Sequence, residues 1–290
     1  MNIVDTINFP QNVSVALDIS VRDLENKDKY PHFCPNPCPD ALSSQPLGDW
    51  QNDDELVPSL QLTRNQRQVQ ALADIDGIRE QQKIILVLES PHIDEFNLRR
   101  CSKRMYCNSL INPLPAPARG RTGENIKHYL PHLFNTPIFN QYKVAIINPI
   151  QYQCSLGVST SSKETRKDEL FCRLLTDSQF CYREHFSKRL SETYNTGDDK
   201  IDGDLIICCC TDGIGKANNS EIVLGIIHQT LSGLGVQNRF PVLKMRHPCT
   251  WNRGCSFRKI WIMKSGQTTI SQSDRYFCDK DCQSLYDQFD

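Results

Sequence analysis

The chain has 290 residues and a mass of 33.2 kDa, with 39% hydrophobic residues, 23% charged residues and a formal net charge of -1. That composition belongs to a chain able to build its own core, and it excludes a disordered polymer. No apolar run approaches the ~20 residues of a bilayer span, and the near-neutral net charge does not by itself announce a nucleic-acid partner.

The start, Met1-Asn2-Ile3-Val4-Asp5, lacks a basic region followed by an apolar one, so we expect no secretion signal and a cytoplasmic protein. Its 14 cysteines are then expected to be mostly reduced. Residues 1 to about 60 are rich in Pro, Asn and Asp and read as an irregular N-terminal extension. The α/β domain is expected over 61–265, with a C-terminal extension, 266–290, packed on it. From Thr63 to Gln82, Val69, Leu72, Ile75 and Ile78 recur every three residues, the spacing of a helix face. Lys83 to Leu88 follows as a continuous aliphatic run, the pattern of a strand buried on both faces.

Three further runs have that character: Lys143 to Asn148, Asp204 to Cys210, and Phe240 to Met245. Helix-like stretches lie between them at Thr122 to Phe134, Lys163 to Arg189 and Ser220 to Leu234. Alternation of this kind predicts a three-layer α/β/α sandwich around a mainly parallel four-stranded sheet. Ligands of such sheets bind where the strands end. Here the strands run into Glu89-Ser90-Pro91-His92-Ile93-Asp94, Asn148-Pro149-Ile150-Gln151-Tyr152, Thr211-Asp212-Gly213 and Arg246-His247-Pro248-Cys249-Thr250-Trp251. A carboxylate, an amide and an imidazole would meet on one rim. An amide both donates and accepts, as reading a base edge requires. An imidazole can stabilise charge on a leaving group, and a carboxylate can position water or steady a cationic sugar.

Charge is segregated along the chain. Arg99, Arg100, Lys103, Arg104, Arg119, Arg121 and Lys127 are offset only by Glu124, and no acid interrupts Lys244, Arg246, Arg253, Arg258, Lys259 and Lys264. Basic runs flanking the candidate site are the footprint expected of phosphate binding. Each residue also has a plain alternative. His-Pro and Asn-Pro open turns, Glu89 can cap a helix, and Trp251 can anchor its loop to the core.

The order of motifs resembles the uracil-DNA glycosylase superfamily over roughly Lys83 to Arg253. A strand runs into Glu-Ser-Pro-His, Pro117-Ala118-Arg119-Gly120-Arg121-Thr122-Gly123 opens a helix, a strand ends in Asn148, and a late His247-Pro248 follows. The iron–sulfur branch is the most similar, with its Gly-Glu-Ala-Pro-Gly and Pro-Phe-Val-Gly-Arg-Ala-Gly segments. The resemblance implies a monofunctional, monomeric DNA glycosylase that flips a nucleotide and hydrolyses its N-glycosidic bond. It implies catalytic roles for Glu89, Ser90, Asp94 and His247, with His92, Ala118, Asn148 and Tyr152 around the base. Arg119, Arg121, Arg246, Thr250, Trp251 and Arg253 would meet the DNA, Trp251 as a wedge.

Departures from the family pattern shape the expectation. Ser90 stands where many members carry an aspartate, and Leu88 replaces a tight glycine. Ala118 stands where the iron–sulfur branch stacks a phenylalanine on uracil, which opens room for a bulky base such as glucosylated hydroxymethylcytosine of phage DNA. Antiviral glycosylases of this fold are known. Cofactors are not expected. The alternatives are a 4Fe-4S cluster on Cys34, Cys38, Cys154 and Cys172, or a structural zinc joining Cys34 and Cys38 to Cys278 and Cys282. Competing functions are uracil repair, a non-catalytic nucleic-acid-binding module, and a hydrolase with Ser90, His247 and Asp212. The last lacks a Gly-x-Ser-x-Gly elbow, and no Walker or dinucleotide motif is present.

Overall fold

A computed structural model describes residues 38–43, 45–51, 60–62, 77–91, 117–118, 121–134, 137–151, 154, 168, 171–178, 180–197, 203–211, 219–235, 242–253, 260–263 and 270–272. Its strands are β1 (Ala41–Ser43), β2 (Leu60–Leu62), β3 (Lys83–Val87), β4 (Lys143–Ile147), β5 (Leu205–Cys208), β6 (Val242–Met245), β7 (Ile260–Met263) and β8 (Ile270–Gln272). The helices are α1 (Arg121–Leu133), α2 (Tyr182–Thr193) and α3 (Asn219–Gly233). All eight strands form one sheet in the order β2-β1-β4-β3-β5-β6-β7-β8.

The centre of that sheet, β4-β3-β5-β6, is parallel throughout. These are the four strands expected from the aliphatic runs. Residues 84–88 and 144–147 are all at most 1% exposed, so each strand is covered on both faces, which only apolar side chains on both sides of the pleat can satisfy. Two separate cores result. Ile85, Val87, Ala145, Ile147, Ile206 and Cys208 pack with side chains of α2, α3 and the helical segment 171–176. Ile84, Leu86, Val144, Ile146, Ile207 and Leu243 pack with Ile126, Leu130 and Leu133 of α1. Neighbouring residues alternate between the two, giving helices on both faces of the sheet. The three layers are therefore present.

The edges differ from the expected boundaries. β1 pairs antiparallel with β4, placing Ala41 opposite Ile146, and β2 extends the sheet beyond it. Part of the stretch read as an irregular extension is thus woven into the sheet, and Val144 N–H even donates to Ser43 Oγ (2.9 Å). At the other edge β7 and β8 add antiparallel strands, so the boundary at 265 falls inside the sheet as well. The single helix expected over Lys163 to Arg189 is two pieces, 171–176 and α2, interrupted at 177. The helix expected over Thr63 to Gln82 lies outside the described residues apart from its last few. Among the described residues no helix is long and apolar enough to cross a membrane.

Candidate active site

The carboxyl ends of β4, β3, β5 and β6 lie side by side, so Asn148, Glu89-Ser90, Cys209-Cys210-Thr211 and Arg246-His247 share one rim. The strand ends stay in register past the ladder. Leu88 N–H donates to Ile147 O (3.0 Å), Ile150 N–H to Glu89 O (3.4 Å) and Cys209 N–H to Val87 O (2.7 Å). β4 and β6, which run into Asn148 and His247, are three strand spacings apart, about 14 Å.

Asn148 is 1% exposed, and among the described residues neither its Oδ1 nor its Nδ2 has a hydrogen-bond partner. A buried, unpaired amide costs about 1–3 kcal/mol for each group left unsatisfied. The Ser90 Oγ, on the neighbouring strand end, is likewise buried and unpartnered. The main chain of Asn148 is the opposite case. Arg189 of α2 donates through Nη2 to Asn148 O (2.8 Å) and Pro149 O (3.2 Å). Its Nη1 donates to both oxygens of Asp40 (2.6 and 2.5 Å). The Asp40 carboxylate in turn accepts the Asn148 backbone N–H, and Gln151 Nε2 donates to it at 3.3 Å.

His247 opens a short 3-10 turn, Pro248–Thr250, after β6. Its Nδ1 accepts the Cys249 N–H (3.3 Å), which in a neutral ring assigns the proton to Nε2. The turn is tied at several points. Thr250 Oγ1 donates to His247 O (2.8 Å), and Asn125 of α1 donates to Pro248 O (2.7 Å). Trp251 is 0% exposed, and its Nε1 donates to Arg246 O (2.6 Å). Trp251 is the residue expected as a DNA wedge. As placed, the indole anchors the loop, the plainer of its two readings. The Thr250 hydroxyl is likewise turned inward onto its own loop.

Glu89 also departs from its expected role. It follows Leu88, which faces α1, so the alternation turns it to the α3 side. There its Oε1 accepts from Thr211 Oγ1 and from Asn219 Nδ2, both at 2.6 Å, and the residue is 2% exposed. Asn219, the first residue of α3, also donates to Asp168 Oδ1 (3.0 Å), and its Oδ1 accepts from Cys172 Sγ (2.9 Å). Burial, reinforced by Asp168 and Glu89, pushes the Cys172 thiol up to about 11. A carboxylate bound into this network joins strand ends to the α3 helix, and it is not presented to the rim beside Asn148.

Ala118 carries φ +56°, a left-handed conformation that a side chain rarely adopts. It is 4% exposed within the α1-side core. Gly123 explains the tightness of this turn, because a Cβ there would stand 1.8 Å from Ala118 O. Arg121, Arg246 and Arg253 are exposed on segments that adjoin through the Asn125 contact, so the described part of the basic surface lies beside the rim.

His92, Asp94, Arg119, Tyr152 and Cys34 lie outside the described residues, as do Cys278 and Cys282. Cys38 and Cys154 are buried, and Cys172 serves as a donor to Asn219. Among the described residues no group of three or more His, Cys, Asp or Glu side chains is arranged to hold a metal. Sequence reasoning missed Asp40, Arg189, Asn125, Asp168 and Asn219. Only Asn219 had a local signal, since Asn followed by Ser-Glu before an apolar run marks a helix start. No protein-family model, no curated protein and no solved structure matches the chain.

Proposed function

We propose that the chain is a uracil-DNA glycosylase-like enzyme that extrudes a nucleotide from DNA and hydrolyses its N-glycosidic bond, leaving an abasic site. The observation that carries this reading is the Asn148 amide, fully buried at the strand rim with donor and acceptor both unpartnered. A base edge offering an acceptor beside a donor satisfies both at once. Support comes from His247, whose Nδ1 accepts the Cys249 N–H, so that a neutral ring carries its proton on Nε2, the form that suits stabilising a departing base. Exposed Arg121, Arg246 and Arg253 supply phosphate contacts.

Among the described residues the groups near Asn148 favour a dissociative course, and Asp94 lies outside them. Glu89 is held on the other side of the sheet, and a Ser90 hydroxyl is too weak a base to deprotonate water. The C1′–N bond therefore breaks first, its electron pair leaving with the base as an anion stabilised by His247. Water held near Ser90 then adds to the cationic sugar and releases its proton to solvent. A bulky modified base, such as glucosylated hydroxymethylcytosine in an antiviral role, fits the loss of the stacking ring at Ala118.

Mass spectrometry of bases released from a panel of uracil-containing and modified DNAs is the test. Wild type should release a base, and Asn148→Ala or His247→Ala should each slow release about 100-fold or more. Release of uracil alone would limit the enzyme to repair. The tied-up Glu89 and the serine beside it favour one other reading, a non-catalytic nucleic-acid-binding module. Under it no base appears from any DNA, and the variants change affinity alone.

A further inference from the structure

We infer that Asp40 and Arg189 are positioning residues for Asn148, holding its backbone so that its side-chain amide can be left unpaired and aimed. This deepens the proposed glycosylase reading and rests on it for its catalytic consequence. An unsatisfied buried amide is pulled toward any partner it can reach, so it stays available to a ligand only if its backbone cannot yield. Around Asn148 every main-chain group is held by a buried charge. Its N–H is accepted by the Asp40 carboxylate, its C=O is bonded by Arg189 Nη2, and the next carbonyl, Pro149 O, is bonded by the same nitrogen.

The Arg189 fork is fully engaged, with Nη1 on both Asp40 oxygens and Nη2 on the two carbonyls. Asp40 and Arg189 are 0% and 6% exposed. A planar guanidinium can bridge a carboxylate and two carbonyls at once, and a lysine ammonium cannot reproduce that fork. Proline at 149 removes one more backbone freedom. The segment before β1 and the helix α2 thus contribute directly to the rim although neither presents a side chain to it.

Arg189→Lys and Asp40→Asn in the full chain test this, with Ile226→Val in the α3 core as a control for mild destabilisation. On a DNA that wild type processes, both positioning variants should lose about 100-fold in single-turnover base release. DNA affinity should change less than about twofold, and Ile226→Val should keep the wild-type rate. Hydrogen exchange at the Asn148 amide should quicken at least about 10-fold in both variants, while the Asn195 amide, at the other end of the sheet, keeps its rate. If Arg189→Lys matches wild type in rate or in Asn148 exchange, the inference is overturned. If wild type releases no base at all, the glycosylase reading fails, and the exchange measurement alone decides whether Asn148 is held as inferred.

Discussion

Two buried polar sites at opposite ends of the parallel sheet are treated in opposite ways. At the amino end, Lys83 Nζ meets Asp204 Oδ2 at 3.0 Å and donates to Ile78 O (2.7 Å) and Gln81 O (2.6 Å). Asp204 also accepts the backbone N–H of Lys83 (2.7 Å) and of Asn195 (2.8 Å). This ion pair is fully buried and its hydrogen bonds are made. At the carboxyl end, the Asn148 amide and the Ser90 hydroxyl are buried with none. The Lys83–Asp204 pair is closed into the fold, whereas the Asn148 amide and the Ser90 hydroxyl are left for something that arrives. That is the difference expected between a structural and a ligand-binding use of the same strands.

The largest effect is expected from damage to the Lys83–Asp204 pair. Lys83→Met leaves the Asp204 carboxylate buried and uncompensated, which should cost about 3–5 kcal/mol and lower Tm by roughly 10 °C. The double variant Lys83→Met/Asp204→Leu should recover most of that loss, because the remaining charge goes too. Chemical denaturation of the three proteins checks it. If the single variant were as stable as the double, the pair would not be a buried interaction at all.

A smaller effect follows from pH. Burial pushes Asp204 from an ordinary 3.8 up to about 6, against the pull of Lys83 and of two backbone N–H groups. Between those values the folded chain holds more protons than the unfolded one. This group's contribution to stability is therefore full below about pH 4 and is lost as pH rises through about 6. Relative to the double variant, which has nothing to titrate there, wild type should gain stability from pH 7 to 4, on the order of 3 kcal/mol at most. A flat difference across that range would mean that Asp204 stays ionised throughout.

How much of this was legible depended on whether the cause was local. The four parallel strands announced themselves because burial on both faces requires long aliphatic runs. β1 and β2 are three residues each, too short for any period to register, so their place in the sheet was invisible. Asn148 was readable as the polar residue that ends a strand. The side of the sheet that Glu89 takes was not legible, because a single step along a strand reverses the face, and its partner Asn219 lies 130 residues away. Arg189 looks like any charge on a helix, and its partner Asp40 is 149 residues distant. Only the folded chain brings them together.

The smallest predicted effect bears most directly on the open end. If the Asn148 amide is unpaired in the folded protein, replacing it with an apolar side chain of the same branching, though larger, removes a desolvation penalty and no hydrogen bond. Asn148→Leu should then raise stability by about 1–2 kcal/mol while abolishing base release, the opposite signs expected where function is held at the expense of stability. The backbone clamp of Asp40 and Arg189 does not involve the side chain and stays intact in this variant. Thermal melts beside a release assay read both effects. A loss of stability in Asn148→Leu would show the amide to be bonded within the fold, and the two ends of the sheet would then be alike.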